Sequence, residues 1–351
     1  MAPRSTKLIQ AALSALYYTG ADRALAPLTR GIGVVFMMHH VRPEPAAAFE
    51  PNSILKITPE FLDAVIAQVL DDGFDVVSLE QAHWRLTEGR FERPFACFTF
   101  DDGYRDNLTH AYPVFRRRGL PFAIYVPTDY ADGHGDLWWL ALEKVIGSVE
   151  ELRLDMNGRE RVFVTSNAAA KERTFFEIYW WLRRIDEADA RKIVADLCAQ
   201  IGFDAAALCT QLVMTWDEIR KLARDPLVTI GAHTRGHYAL GKLSISQARQ
   251  EMETSIQRIE ANLGRRPEHF SYPYGDADSA GPREFQLARE LGMKTAVTTR
   301  KGLLFPEHER HLTALPRVSL NGDFQARRYV SALLSGAPTY LWNGMRKVVA
   351  T

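Results

Sequence analysis

Cysteine is scarce in this chain: Cys97, Cys198 and Cys209 are an odd number, and no Cys-x-x-Cys spacing occurs. That excludes a disulfide framework and a cysteine zinc site, and unpaired thiols favour a reducing compartment. Excess charge is also lacking, since 43 basic and 43 acidic residues cancel to a formal net charge of zero. No strong attraction to nucleic acid or to an acidic polymer follows. No apolar stretch approaches the roughly 20 residues that span a bilayer. Internal repeats and low-complexity segments are absent too. The expected location is the cytoplasm, with export as the alternative.

A 46 % hydrophobic chain of 351 residues has enough apolar material for a sizeable core. Strand-like runs fall near 33–38, 75–79, 95–100, 122–126, 227–232, 269–273 and 294–298, and helical patterns such as Pro59 to Leu70 and Ser246 to Leu263 lie between several of them. This alternation predicts an α/β architecture with parallel strands.

Two segments carry chemistry. Ala96-Cys97-Phe98-Thr99-Phe100 is continuously apolar, as a strand buried on both faces would be, and runs into Asp101-Asp102-Gly103. Adjacent residues on a strand point to opposite faces, so both carboxylates approach one ion only where the strand ends and turns, which Gly103 permits. Leu227 to Ala232 repeats the pattern and ends in His233-Thr234-Arg235-Gly236-His237. Imidazoles four residues apart can reach one ion. Thr234, Arg235 and Gly236 offer no base between the histidines, leaving Asp101 as the spare carboxylate. The residues alone keep two metal chemistries open: hydrolysis, and an iron-dependent oxygenase built on two histidines and a carboxylate.

Thr99-Phe100-Asp101-Asp102-Gly103, His233-Thr234-x-x-His237 and Ser271-Tyr272-Pro273-Tyr274-Gly275 resemble, in order, the first three motifs of the polysaccharide deacetylases, which include the nodulation-type chitooligosaccharide deacetylases. The resemblance runs from about Gly33 to Leu320. It implies a distorted (β/α) barrel of parallel strands and a divalent metal, usually zinc, with cobalt, nickel or iron as alternatives. It further implies hydrolysis of N-acetyl groups on amino-sugar oligomers or polysaccharide. Asp101 then matches the catalytic base, and Asp102, His233 and His237 match the metal ligands. The amide near Tyr274, after Pro273, matches an oxyanion contact.

Two departures stand out. Ser271 replaces an arginine that pairs with the base in many relatives, and Arg317 is the candidate to stand in for it. The segment after Leu320 holds no histidine to act as general acid. Gly33 to His40 instead looks like the Met-Tyr-His segment of the poly-N-acetylglucosamine deacetylase branch, with Met38 in place of the tyrosine. His39 is therefore the expected acid, with His40 as its rival. A carbohydrate-binding barrel that has lost activity is a further reading left open by Ser271 and Met38.

The expected organisation is an N-terminal amphipathic helix over 1–30, with Leu8, Ile9, Ala12, Leu13, Leu16 and Tyr17 on its apolar stripe and Gln10 and Ser14 off it. A barrel over 31–130 and 216–322 follows, with a mostly helical insertion, 131–215, over its catalytic face. In Asp136-Leu137-Trp138-Trp139, Trp138 and Trp139 are the candidates for stacking on sugar rings, ahead of Trp180 and Trp181. The last segment, 323–351, is expected to dock through Tyr340, Leu341 and Trp342. The expected partner is an N-acetylated carbohydrate; oligomeric state is not readable.

Overall fold

In a computed structural model, which describes residues 3–89 and 91–350, seven parallel strands close into a barrel: β1 (Gly33–Met38), β2 (Phe95–Phe100), β3 (Phe122–Val126), β4 (Val228–Ala232), β5 (His269–Ser271), β6 (Thr295–Lys301) and β7 (Leu315–Ser319). Each strand pairs with the next in sequence, and β1 pairs with both β2 and β7 to close the ring. Every residue of β2 is buried, as its unbroken apolar run predicts for a strand with helices outside and barrel core inside.

Register places the chemistry. Met38 pairs with Phe100, while Ala232 pairs with both Val126 and Phe270. The residues that follow β1, β2, β4 and β5 therefore leave at one end of the barrel, the end where strand C-termini hold active sites.

The outer helices obey local rules. Pro59–Asp71 starts on Thr58, whose hydroxyl accepts from the Phe61 amide, with Pro59 at the first helical position. Ile245–Leu263 opens with a capping box between Ser244 and Gln247 and stops at left-handed Gly264.

Between β3 and β4 the chain builds helices Trp138–Ser148, Ala168–Leu182, Glu187–Gln200 and Ala206–Leu212 around their own core, in which Leu142, Ile146, Phe175, Ile178 and Leu182 are buried. An antiparallel hairpin, Glu151–Asp155 with Glu160–Val164, interrupts these helices. The periodicity of the insertion as a whole hides it. Its local signal is plain, though: alternating Leu152 and Leu154, then Asn157-Gly158 with both residues at positive φ, as a tight hairpin turn requires.

The N-terminus differs from the single helix expected. Left-handed Gly20 divides it into Pro3–Tyr18 and Ala21–Thr29. Leu8 and Ala12 face solvent, whereas Gln10 and Ser14 lie on the packed side: the Gln10 amide donates to the Asp323 carbonyl at 2.6 Å, and Arg328 donates to Ser14 Oγ at 3.2 Å. Leu13 packs with Phe324, Tyr329 and Ala332. Those residues, with Val330 and Leu334 buried, seat the C-terminal helix Arg327–Leu334; Leu341 and Trp342 are exposed and do not. Among the described residues, no helix is long and apolar enough to cross a membrane.

Candidate metal centre

Asp101 and Asp102 follow β2 directly, and the backbone turns sharply there: Asp102 and Gly103 both take left-handed φ, 70° and 65°. For a non-glycine residue that conformation is costly, and it persists where surrounding structure enforces it. The same holds for Thr234, His237 and Tyr274, with φ of 63°, 59° and 61°. Three loops at one end of the barrel are thus held in strained turns that face the same space.

Within it, Asp102 Oδ1 lies 3.4 Å from His233 Nε2 and 3.2 Å from His237 Nε2, all three residues being buried. His233 Nδ1 sits 2.6 Å from the Ser271 carbonyl, which only accepts, so the ring proton is on Nδ1 and Nε2 presents a lone pair. A lone pair then faces a carboxylate oxygen that has no hydrogen-bond donor. Two acceptors pressed together in a dry site repel unless a cation lies between them. Burial lowers the His237 pKa to about 4, an effect Asp102 only partly offsets, so that ring is neutral and competent as a ligand at neutral pH. One carboxylate and two imidazoles suit a catalytic zinc site with positions left open.

Asp101 has a different environment. Arg317, on β7 and 1 % exposed, grips it with two bonds, Nη1 to Oδ1 at 2.9 Å and Nη2 to Oδ2 at 2.7 Å. The guanidinium is completed by Thr298 O, Thr99 Oγ1 and Ser271 Oγ. Ser271 thus leaves room where its barrel neighbours admit an arginine from another strand. Burial pushes the Asp101 pKa up, but the Arg317 guanidinium beside it overcomes this, and the carboxyl titrates below its ordinary value.

The two N-terminal histidines part company. His39 lines the pocket that holds Asp101, Asp102, His233 and His237; burial lowers its pKa despite both carboxylates. His40 points away, with Nδ1 2.6 Å from Asp106 Oδ2 and its ring stacked on Tyr104 at 3.6 Å.

The insertion walls this pocket of about 420 Å³ with Trp139, Phe175, Tyr179, Trp180 and Arg183. Trp138, expected to meet a sugar, is only 3 % exposed and is not among the pocket residues. Its indole N–H instead donates to Tyr274 Oη at 2.9 Å, while Arg183 lies over the Tyr274 ring at 3.6 Å. Tyr274 is thereby fixed above His237, ring to ring at 4.9 Å, and buried Pro273 precedes it. Trp139 is at the pocket wall 5.1 Å from the His237 ring, and Trp180, ranked lower from sequence, is the accessible tryptophan, 48 % exposed.

Sequence reasoning missed the residues that hold the histidine turn. Glu251 accepts from the Gly236 amide at 2.8 Å, and Arg191 donates to the carbonyls of Gly236 and His237 at 3.0 and 3.1 Å. Glu251 had a signal: it is an acid on the buried face of its helix, beside Ala248, Met252 and Ser255. Arg191, on a solvated-looking helix of the insertion, had none.

A family model described as polysaccharide deacetylase matches residues 88–296. Among solved structures, the chain resembles a Streptococcus pyogenes deacetylase, PplD, in complex with acetate (16 % identity, TM-score 0.53, covering 82 % of this chain and 92 % of that one). IcaB from Ammonifex degensii is similar at 16 % identity and TM-score 0.53, with 86 % and 97 % covered. A de-N-acetylase from Aggregatibacter actinomycetemcomitans is similar at 15 % identity and TM-score 0.51, with 83 % and 96 % covered. No curated protein matches the sequence at the significance required.

Proposed function

The chain belongs to the polysaccharide deacetylase family, and we propose that it hydrolyses N-acetyl groups on amino-sugar oligomers or polysaccharide with a divalent metal, zinc by preference, held by Asp102, His233 and His237. The observation that carries this reading is the contrast at the end of β2: the Asp102 oxygen facing two imidazole nitrogens has no donor, while Asp101 beside it is fully engaged by Arg317.

When bound, the metal supplies a Lewis acid that acidifies water and polarises an acyl oxygen. Asp101, kept ionised by Arg317, takes the proton from the attacking water as general base. Arg317 orients that carboxylate and touches no substrate. The Tyr274 amide, fixed by a left-handed turn, is the donor aimed at the charge developing on the acyl oxygen. Burial lowers the His39 pKa, so the proton it passes to the departing nitrogen is one taken up in the course of the reaction. Water oxygen bonds to the acyl carbon, the C–N bond breaks, and acetate and a free amine result. Trp139 and Trp180 present aromatic surface to the sugar.

The test is metal analysis of purified protein together with acetate release from N-acetylglucosamine oligomers. The expected result is about one zinc per chain, release abolished by a chelator and restored by zinc. Metal-free protein with chelator-insensitive release would overturn the reading.

A further inference from the structure

A second cavity, of about 260 Å³, adjoins the catalytic pocket, and the two share Ile54, Thr299 and Lys301 as a common wall. Beyond that wall the side chains are mostly apolar: Ile9 and Leu13 from the N-terminal helix, Phe324, and Leu333, Pro338 and Trp342 from the C-terminal helices. Trp342 lines the cavity and yet is 64 % exposed, so it marks the mouth, and neighbouring Leu341 is 61 % exposed. A water-accessible cavity of this composition gains by taking up hydrocarbon.

Lys301 gives the junction a sign. Its ammonium lies 4.0 Å over the Trp342 ring, the residue is exposed at this shared wall, and among the described residues no acidic side chain pairs with it. A cation without a counter-charge thus stands where an occupant of the polar pocket would continue into the apolar one.

Resting on the deacetylase reading, we propose that the substrate is an N-acetylated amino sugar joined through a phosphate to a long alkyl or prenyl chain. The sugar sits at the metal centre, the phosphate meets Lys301, and the chain enters the cavity past Trp342. A polysaccharide would leave the apolar cavity unfilled.

Acetate release from the decyl phosphodiester of N-acetylglucosamine, compared with N-acetylglucosamine phosphate, decyl N-acetylglucosaminide and a chitooligosaccharide, tests this. The phosphodiester is expected to have the highest kcat/KM, at least about tenfold above the sugar phosphate. Trp342→Ala should erase that advantage while leaving the sugar-phosphate rate unchanged. Lys301→Gln should bring the phosphodiester down to the level of the decyl glycoside. Equal rates for phosphodiester and sugar phosphate, or an advantage that survives Trp342→Ala, would overturn the proposal. If no compound releases acetate but decyl phosphate alters the tryptophan fluorescence of the wild-type protein and not of Trp342→Ala, the chain site stands and the deacetylase reading falls.

Discussion

On the β7 side of the pocket, Asp101 is held by both Nη nitrogens of a buried guanidinium; on the β4 side Asp102, the next residue in the chain, faces two imidazoles with an oxygen that nothing donates to. Burial is nearly equal, 3 % and 2 % exposed, so solvent does not distinguish them. Partners do. A saturated carboxylate is oriented and stays ionised, whereas an unsatisfied one beside two imidazoles is arranged for a cation. The proposed division between base and ligand rests on this contrast in partners.

Removing the ligand side should have the largest effect. Asp102→Ala is expected to lose both bound metal and acetate release, read by metal stoichiometry and end-point assay. Asp101→Asn should keep the metal and lower kcat by about 10²- to 10⁴-fold, the range for a general base. Metal loss in that variant would break the contrast.

Arg317→Met leaves a buried carboxylate unpaired and should cost about 3–5 kcal/mol in denaturant unfolding at neutral pH. The sign follows from Asp101, whose folded-state pKa is depressed. The stabilisation from the pair is complete above the ordinary carboxylate range and is lost as pH falls through the depressed value. Without Arg317, burial dominates and raises that pKa, so the acid limb of kcat/KM should move to higher pH. Arg317→Lys should recover part of both effects.

The histidine pair sharpens the comparison further. His39→Gln should lower kcat by roughly 10²-fold with the fold intact by circular dichroism. His40→Gln should instead lower the unfolding midpoint, because it removes the buried contact to Asp106. Smallest of all, Trp180→Ala should raise KM a few-fold, since an exposed aromatic supplies only part of a sugar contact.

Much of this site was legible because its residues follow apolar runs that read as buried parallel strands: Phe95–Phe100 before the carboxylates and Val228–Ala232 before His233. The pairing of Arg317 with Asp101 was readable only as a vacancy at Ser271, since the two partners are 216 residues apart. His39 was preferred to His40 on the resemblance alone; the contact that separates them, Asp106 closing off His40, is not legible in the sequence. Trp139 lines the pocket as expected, but Trp138 and Trp180 changed places for a similar reason: they have the same side-chain chemistry, and only packing buries one and exposes the other. The insertion's hairpin was legible in Asn157-Gly158 and the alternation before it, but helical periodicity on either side outweighed it. At the N-terminus, polar Gln10 and Ser14 won the packed face because the surface they meet offers hydrogen-bond partners.

Asp102, Thr234, His237 and Tyr274 hold backbone angles that side chains of their kind avoid. A cation gripping the first and third of these acts as a clasp on a wound spring. Its withdrawal should let amides of those three loops exchange with deuterium sooner, while the strands beneath keep their protection and the molecule as a whole stays folded.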